Sequence, residues 1–189
     1  NEMQNLYENG YKEVTLLGQN VNSYSYEGPD GVVKFHNLLE IIAQAYPTIR
    51  IRFSTSHPKD MSDDTLKVMA SYPNICKHIH LPVQHGSSNI LQRMNRRYTR
   101  EKYLDLVKKI KKQIPEVSLT TDILIGFPGE TEDEFEETVS LMKEINYLAA
   151  YMYYYNPREG TPACSYENQI PMEDKKRRLA KIIDIQQEI

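Results

Sequence analysis

Five short segments rich in glycine, proline, amide and hydroxyl groups recur along the chain. Each follows a stretch of β-forming residues, and they span residues 18–22, 54–58, 82–87, 126–130 and 156–161. Such groups hydrogen-bond a polar ligand and let the backbone approach it closely, but they do little acid–base work. No serine, cysteine or lysine stands in a recognisable nucleophile motif. The five segments therefore predict a cradle for a cofactor rather than a set of catalytic side chains.

Histidines offer a second kind of chemistry. His78 and His80 alternate along one strand, and His57 and Asp122 are possible further metal ligands. Some barrel-shaped hydrolases present zinc ligands from their strands in this way. Hydrogen-bonded histidines in or near a core are the commoner source of such a pattern. A metallohydrolase that uses these four residues is therefore one alternative hypothesis.

Aromatic and basic runs allow contact with nucleic acid. Tyr151, Tyr153, Tyr154 and Tyr155 are typical of core and barrel-lining positions, although one ring could stack on a nucleobase or adenine. The basic stretch from Arg93 to Lys112 is either a solvated helix face or an RNA-binding surface. A non-catalytic RNA-binding module is thus a third hypothesis.

Composition narrows the class of protein. The chain has 189 residues, a net charge of -3 and 40% apolar residues, and its mean hydropathy of -0.61 argues against a membrane protein. No signal-peptide pattern opens the chain. Its two cysteines, Cys76 and Cys164, fit neither a disulfide framework nor a metal-knuckle spacing, which favours a reducing, cytoplasmic compartment.

Strand-like and helix-like patterns alternate throughout. The strand-like segments are residues 14–17, 49–53, 78–81, 119–125 and 150–155. Apolar stripes at helical spacing lie between them, Thr131 and Glu134 form a capping box, and Pro171 opens a last helix with Leu179 facing inward. Residues 22–34 are predicted to form the main loop. The repeat length predicts an α/β fold, a partial parallel (β/α) barrel too short to close.

The first residues predict how the chain begins. Residues 2–9 have the pattern of a helix end that leads into the first visible strand, and no initiator methionine precedes them. A βα architecture places a strand before such a helix. We therefore expect the chain to be a fragment that begins inside a repeat unit, with the first strand missing.

Four of the strand-end signatures occur in order at characteristic intervals: Leu17–Tyr24, Ser54–Pro58, His80–Ser87 and Asp122–Thr131. Together they resemble the radical S-adenosylmethionine methylthiotransferases over nearly the whole chain. The first signature is most similar to the branch that modifies isopentenyladenosine in tRNA (MiaB-type). Branches that act on threonylcarbamoyladenosine or on ribosomal protein S12 are alternatives.

The resemblance implies a reaction and a cofactor site. A 4Fe-4S cluster would cleave S-adenosylmethionine, the resulting radical would abstract hydrogen from adenine C2, and an auxiliary cluster would deliver a methylthio group next to the anticodon. Matching positions assign cofactor contacts to one set of residues: Gln19, Asn20, Ser56, Gln84, Gly126, Tyr155 and Asn156. The implied partner is the anticodon stem-loop of tRNA, with no membrane.

One departure from the family pattern is large. The Cys-x-x-x-Cys-x-x-Cys cluster motif is absent, and two distant cysteines cannot replace three clustered thiolates. We therefore expect residues 1–189 to be a fragment of the radical SAM core domain, without the first strand, the cluster loop, the amino-terminal auxiliary-cluster domain or the carboxy-terminal TRAM domain. Such a chain would ligate neither of the two 4Fe-4S clusters of the full-length protein and would be inactive alone.

Overall fold

The computed structural model describes residues 2–29, 31–54 and 57–189. Within it the chain forms two compact units. The first contains the residues up to Leu81 together with Lys108–Ser118, and the second contains Pro82–Val107 with Leu119–Ile189. None of the described helices combines the length and the hydropathy that a bilayer crossing requires.

Helices and strands alternate as the sequence pattern predicts. The helices are α1 (Glu2–Glu8), α2 (Phe35–Ala45), α3 (Asp63–Ser71), α4 (Ser88–Arg93), α5 (Arg100–Gln113), α6 (Glu132–Ile145) and α7 (Met172–Glu188). The strands are β1 (Glu13–Leu16), β2 (Ser25–Gly28), β3 (Gly31–Lys34), β4 (Arg50–Phe53), β5 (His78–His80), β6 (Ser118–Ile125) and β7 (Ala149–Tyr154). All five expected strands are present, with boundaries within one residue of those predicted.

A parallel pair of strands organises the first unit. β1 and β4 align so that Val14 lies beside Ile51 and Leu16 beside Phe53. The amphipathic helix α2 buries its apolar stripe, which includes Phe35 and Leu39. The Phe35 ring meets the edge of Phe53, with 5.2 Å between the centroids, so the helix and the strand share one core.

The prediction of a loop over residues 22–34 is wrong. β2 and β3 form an antiparallel hairpin there, in which Gly28 pairs with Gly31. Each strand has only four residues, and Tyr26 and Val32 are exposed, so the segment carries no alternation of buried and exposed apolar residues. Without that alternation the glycines dominated the interpretation.

The second unit is built on another parallel pair. β6 and β7 align from Thr120 opposite Ala149 to Ile125 opposite Tyr154. β6 is largely buried, as expected for a central parallel strand, and α7 packs on both β7 and α6. The two pairs, one in each unit, confirm the predicted α/β class with parallel strands.

Helix α6 begins with the predicted capping box. The Thr131 hydroxyl accepts a hydrogen bond from the Glu134 amide at 3.2 Å, and the Glu134 carboxylate accepts one from the Thr131 amide at 2.8 Å. Two otherwise unpaired donors of the first turn are thereby satisfied. The helix ends at Asn146, whose left-handed backbone stops the α-helical ladder.

The last helix differs from its prediction in which residues it buries. Pro171 precedes the first residue of α7 as its N-cap, and Leu179 is only half-buried. The buried face instead consists of Lys175, Arg178, Ile182 and Ile185. Two cations therefore replace aliphatic side chains at the end of α7 where it approaches the carboxyl end of β6.

The capping box yields a first prediction. We expect Thr131→Ala to lower the free energy of unfolding by about 1 kcal/mol, because the Glu134 amide loses its acceptor. Urea unfolding measures this difference. Thr48→Ala removes the same atoms from an exposed threonine in the turn before β4 and should change stability by less than about 0.5 kcal/mol. Equal effects of the two substitutions would contradict the role of the cap.

A second prediction concerns pH. Hydrogen bonding to Arg177, at 2.9 and 3.0 Å, lowers the pKa of Glu132 to about 2. Because the folded pKa lies below the unfolded one, this pair stabilises the fold above about pH 4.5 and ceases to do so as the pH falls towards 2. The destabilisation caused by Glu132→Gln should thus be small at pH 7, since the carboxylate is 47% exposed, and should disappear near pH 2. A difference independent of pH would refute it.

Candidate functional site

The first unit brings two predicted strand-end signatures together. The Asn20 amide donates to Asp60 at 2.5 Å, and its oxygen accepts from the His57 backbone amide at 3.3 Å. Asn22 reaches Met61 in the same way, with 3.5 Å from its amide nitrogen to the sulfur. The segment after β1 is therefore attached through its side chains to the segment after β4.

The other cofactor candidates of the first unit have fewer constraints. Gln19 is exposed, immediately before the fixed Asn20. Ser56 lies outside the described residues.

Gln84 and its neighbours join two more signatures in the second unit. The Gln84 amide donates to the Asp122 carbonyl at 2.9 Å, and its carbonyl accepts from the Leu124 amide at 2.7 Å, which extends the parallel ladder of β6. Its φ of 70° places a non-glycine residue in the left-handed region, a conformation that costs free energy. A strained residue at the carboxyl end of a parallel sheet, where ligands bind, is a functional candidate.

Gly126 and Tyr155 end the same two strands side by side. Gly126 has a φ of 70°, and a Cβ there would lie 2.6 Å from the Lys175 side chain, so only glycine fits. The Tyr155 amide donates to the Ile125 carbonyl at 2.8 Å. Its ring is buried against Phe127, while Asn156 is exposed. The structure thus brings Gln84, Gly126 and Tyr155 together at the end of β6.

Tyr155 carries an unusual hydroxyl group. Within the described ranges its oxygen is buried and has no hydrogen-bond partner. Burial of an unpaired hydroxyl costs about 1–3 kcal/mol. Such an orphaned donor at the ligand end of the sheet has the character of a group that a bound molecule would satisfy.

Sequence reasoning missed a buried ionic cluster next to these residues. Glu130, although part of a recognised signature, was not a candidate site residue, yet its carboxylate is fully buried. It accepts hydrogen bonds from the Gly126 amide, from His85 at 2.9 Å and from Arg178 at 3.0 Å. The spacing of Lys175, Arg178, Ile182 and Ile185 on one face of α7 was the available signal.

The hydrogen bonds also assign the proton of His85. Its Nδ1 accepts from the Ser87 amide at 3.0 Å, so the neutral ring carries its hydrogen on Nε2 and donates it to Glu130. The neighbouring Thr138 hydroxyl accepts from the Gly86 amide at 2.9 Å. Glu130 and Arg178 then form the charged pair, with a neutral imidazole beside them.

Two cations hold the turn from Gly126 to Gly129. Lys175 donates to the Tyr155 carbonyl at 2.9 Å, and its burial lowers its pKa. The Arg93 guanidinium donates to the Pro128 carbonyl and to the Gly129 carbonyl, the latter at 3.2 Å. These contacts orient the turn around the backbone groups that end β6.

The metallohydrolase alternative gains no support from the described part of the chain. No group of three or more histidine, cysteine or carboxylate side chains there is arranged to hold a metal ion. The His57 imidazole accepts from the Lys59 amide at 3.3 Å. The pKa of His78 is lowered by burial and by the nearby charges of Arg52 and His80.

Comparison with known protein families decides the classification. The family model described as "Radical SAM superfamily" matches residues 1–142. The chain belongs to the radical SAM superfamily. Membership carries S-adenosylmethionine and a 4Fe-4S cluster as cofactors. The backbone turn at Gln84, Gly126 and Tyr155 fits a polar organic ligand, whereas Cys76 and Cys164 do not fit a cluster, which needs three thiolates here.

Curated relatives place this radical SAM chain beside one group of enzymes. It is 58% identical over 188 residues to the tRNA-2-methylthio-N(6)-dimethylallyladenosine synthase of Bacteroides thetaiotaomicron, covering 98% of this chain and 41% of the relative. It is 52% identical over 188 residues to the protein of the same name from Clostridium botulinum strain Loch Maree, covering 100% and 42%. The chain thus spans about two fifths of these relatives.

Solved structures confirm the radical SAM fold. Methylornithine synthase (PylB) matches with a TM-score of 0.60 at 16% identity, covering 97% of this chain and 51% of that one. Streptococcus suis SuiB bound to S-adenosylmethionine matches with a TM-score of 0.59 at 15% identity, covering 98% and 39%. Together with the parallel strands, which close no barrel within the described residues, these matches support the predicted partial barrel.

The buried cluster gives a prediction. We expect Glu130→Ala to lower the free energy of unfolding by about 3–5 kcal/mol, because Arg178 keeps a buried charge without a partner. Glu136→Ala removes a carboxylate from the exposed pair with Lys181 and should cost at most about 1 kcal/mol. Chemical denaturation of both variants provides the measurement. A loss below about 1 kcal/mol for Glu130→Ala would show that the cluster does not stabilise the fold.

Proposed function

We propose that the gene product containing this chain adds a methylthio group to C2 of N6-dimethylallyladenosine (isopentenyladenosine) next to the anticodon of tRNA. The observation that carries the proposal is the identity of 52–58% to proteins named for this product, sustained over 98–100% of the chain. Identity of this extent includes the strand-end signatures as well as the core. Of the branches considered, it favours the tRNA branch acting on isopentenyladenosine.

The proposed cofactor site follows the strand ends. Its members are Gln19, Asn20, Ser56, Gln84, Gly126, Tyr155 and Asn156. Bound S-adenosylmethionine supplies radical chemistry there. The polar side chains are suited to hydrogen-bond the amino acid and ribose portions, and the turn at Gly126 admits a flat ring close to the backbone because it has no Cβ.

The chain's own residues act by positioning. Glu130 holds the Gly126 amide, Lys175 holds the Tyr155 carbonyl, and Arg93 holds the Pro128 and Gly129 carbonyls. A turn fixed from three sides does not have to be ordered when the cofactor binds, so less binding free energy is lost. The buried Tyr155 hydroxyl would gain a partner in the bound molecule.

The cluster ligands have to come from elsewhere in the gene product. This chain contains two cysteines, and one cluster of this class takes three clustered thiolates. We propose that residues 1–189 belong to the radical SAM core domain, that the thiolates lie outside them, and that an auxiliary-cluster domain and a TRAM domain complete the protein. We further propose a cytoplasmic enzyme with the tRNA anticodon stem-loop as its partner.

The proposal is tested by nucleoside mass spectrometry of tRNA from cells that lack the gene. We expect the methylthio group to be lost while N6-dimethylallyladenosine is retained, because the modification acts on that nucleoside. Restoring the gene should restore the product. Unchanged dimethylallyladenosine derivatives would instead direct attention to threonylcarbamoyladenosine and ribosomal protein S12, and would refute the proposed substrate.

A further inference from the structure

A row of tyrosines runs along one face of β7. Tyr151, Tyr153 and Tyr155 lie two residues apart, so their side chains share a face and repeat about every 6.6 Å. Tyr151 is 57% exposed and Tyr153 is 56% exposed, whereas Tyr155 is 8% exposed. The row therefore leads from an open surface to the buried hydroxyl at the proposed cofactor site.

The opposite face of β7 belongs to the core of the second unit. Met152 and Tyr154 alternate with the exposed tyrosines and are partly buried, and α7 packs on this strand. Parallel sheets in proteins are usually covered on both faces. An exposed face that carries two large aromatic rings, in a strand covered on its other side, is a surface suited to a binding partner.

The residue types indicate what kind of partner this is. A face that is permanently covered by protein is normally filled with aliphatic side chains, whereas tyrosine combines a flat apolar ring with a hydroxyl that suits an interface wet in the free state. Register places Asp122 of β6 beside Tyr151 and Leu124 beside Tyr153. The Asp122 carboxylate would repel a phosphate, so this face favours the base of a nucleotide over its backbone.

We propose that Tyr151 and Tyr153 form a stacking platform for the substrate adenine base, in line with the cofactor contact at Tyr155. The inference rests on the function proposed above and names the residues that bind its substrate. An adenine that is taken out of the anticodon loop exposes its π-face, which stacks on aromatic rings. Leu124, in register with Tyr153, offers apolar contact to the dimethylallyl group.

The test uses the whole purified gene product and two RNA hairpins with the sequence of an anticodon stem-loop. One hairpin carries N6-dimethylallyladenosine next to the anticodon, and the other has an abasic site at that position. Fluorescence anisotropy gives the Kd of each. The variants are Tyr151→Ala, Tyr153→Ala and Tyr153→Phe. Tyr11→Ala is the control, because Tyr11 is 56% exposed and lies in the first unit, before β1.

We expect each alanine variant at Tyr151 or Tyr153 to raise the Kd for the base-bearing hairpin by about fivefold to a hundredfold, since stacking contributes about 1–3 kcal/mol per base. Tyr153→Phe keeps the ring and should stay within about threefold of the wild type, as should Tyr11→Ala. For the abasic hairpin, the alanine variants and the wild type should bind equally, because no base is left to stack.

Two results would overturn the platform. Unchanged binding by the alanine variants would do so directly. An equal loss for both hairpins, together with a lower melting temperature, would show that the tyrosines are covered by other parts of the protein. If the wild type converts the modified hairpin but the alanine variants bind normally, the platform fails and the proposed function stands. If the wild type neither binds nor converts it, the proposed function fails.

Discussion

The buried carboxylate of Glu130 is the constraint on which the second unit depends. Removing a charge from water costs several kcal/mol, and the cost is recovered only when every donor is in place. Here the donors come from three separate segments: His85 in the loop after β5, Gly126 at the end of β6 and Arg178 on α7. A single desolvated charge therefore fixes the relative positions of a loop, a strand end and a helix.

This constraint explains how the chain maintains unfavourable backbone conformations. Gln84 and Gly126 both have a φ of 70°, and a non-glycine residue in that region persists only where its surroundings over-determine it. Gln84 is held by two ladder hydrogen bonds to β6, and Gly126 is held by Glu130. The adjoining cation Lys175 occupies the volume that a Cβ at residue 126 would require. The backbone thus turns sharply at the point where ligands of parallel sheets bind.

Local chemistry was sufficient to predict much of the fold, and non-local pairing was not. The capping box of Thr131 and Glu134 was predictable because its donors and acceptors lie within four residues. The hairpin of β2 and β3 was missed because pairing between its strands leaves little trace in an exposed sequence. Arg178 was missed for another reason: a buried cation is identified by its distant partner, and the acidic run containing Glu130 was interpreted as a solvated helix start.

The same distinction separates the predicted from the unpredicted part of the candidate site. Glycines and amides after strands predicted a cradle, and within the second unit the ladder of β6 brings Gln84, Gly126 and Tyr155 together. Glu130 is the carboxylate there with the chemistry of a base, yet its oxygens accept bonds from Gly126, His85 and Arg178. A carboxylate so occupied is a poor proton acceptor. Its role is to hold the backbone in place, which agrees with the scarcity of acid–base groups at the strand ends.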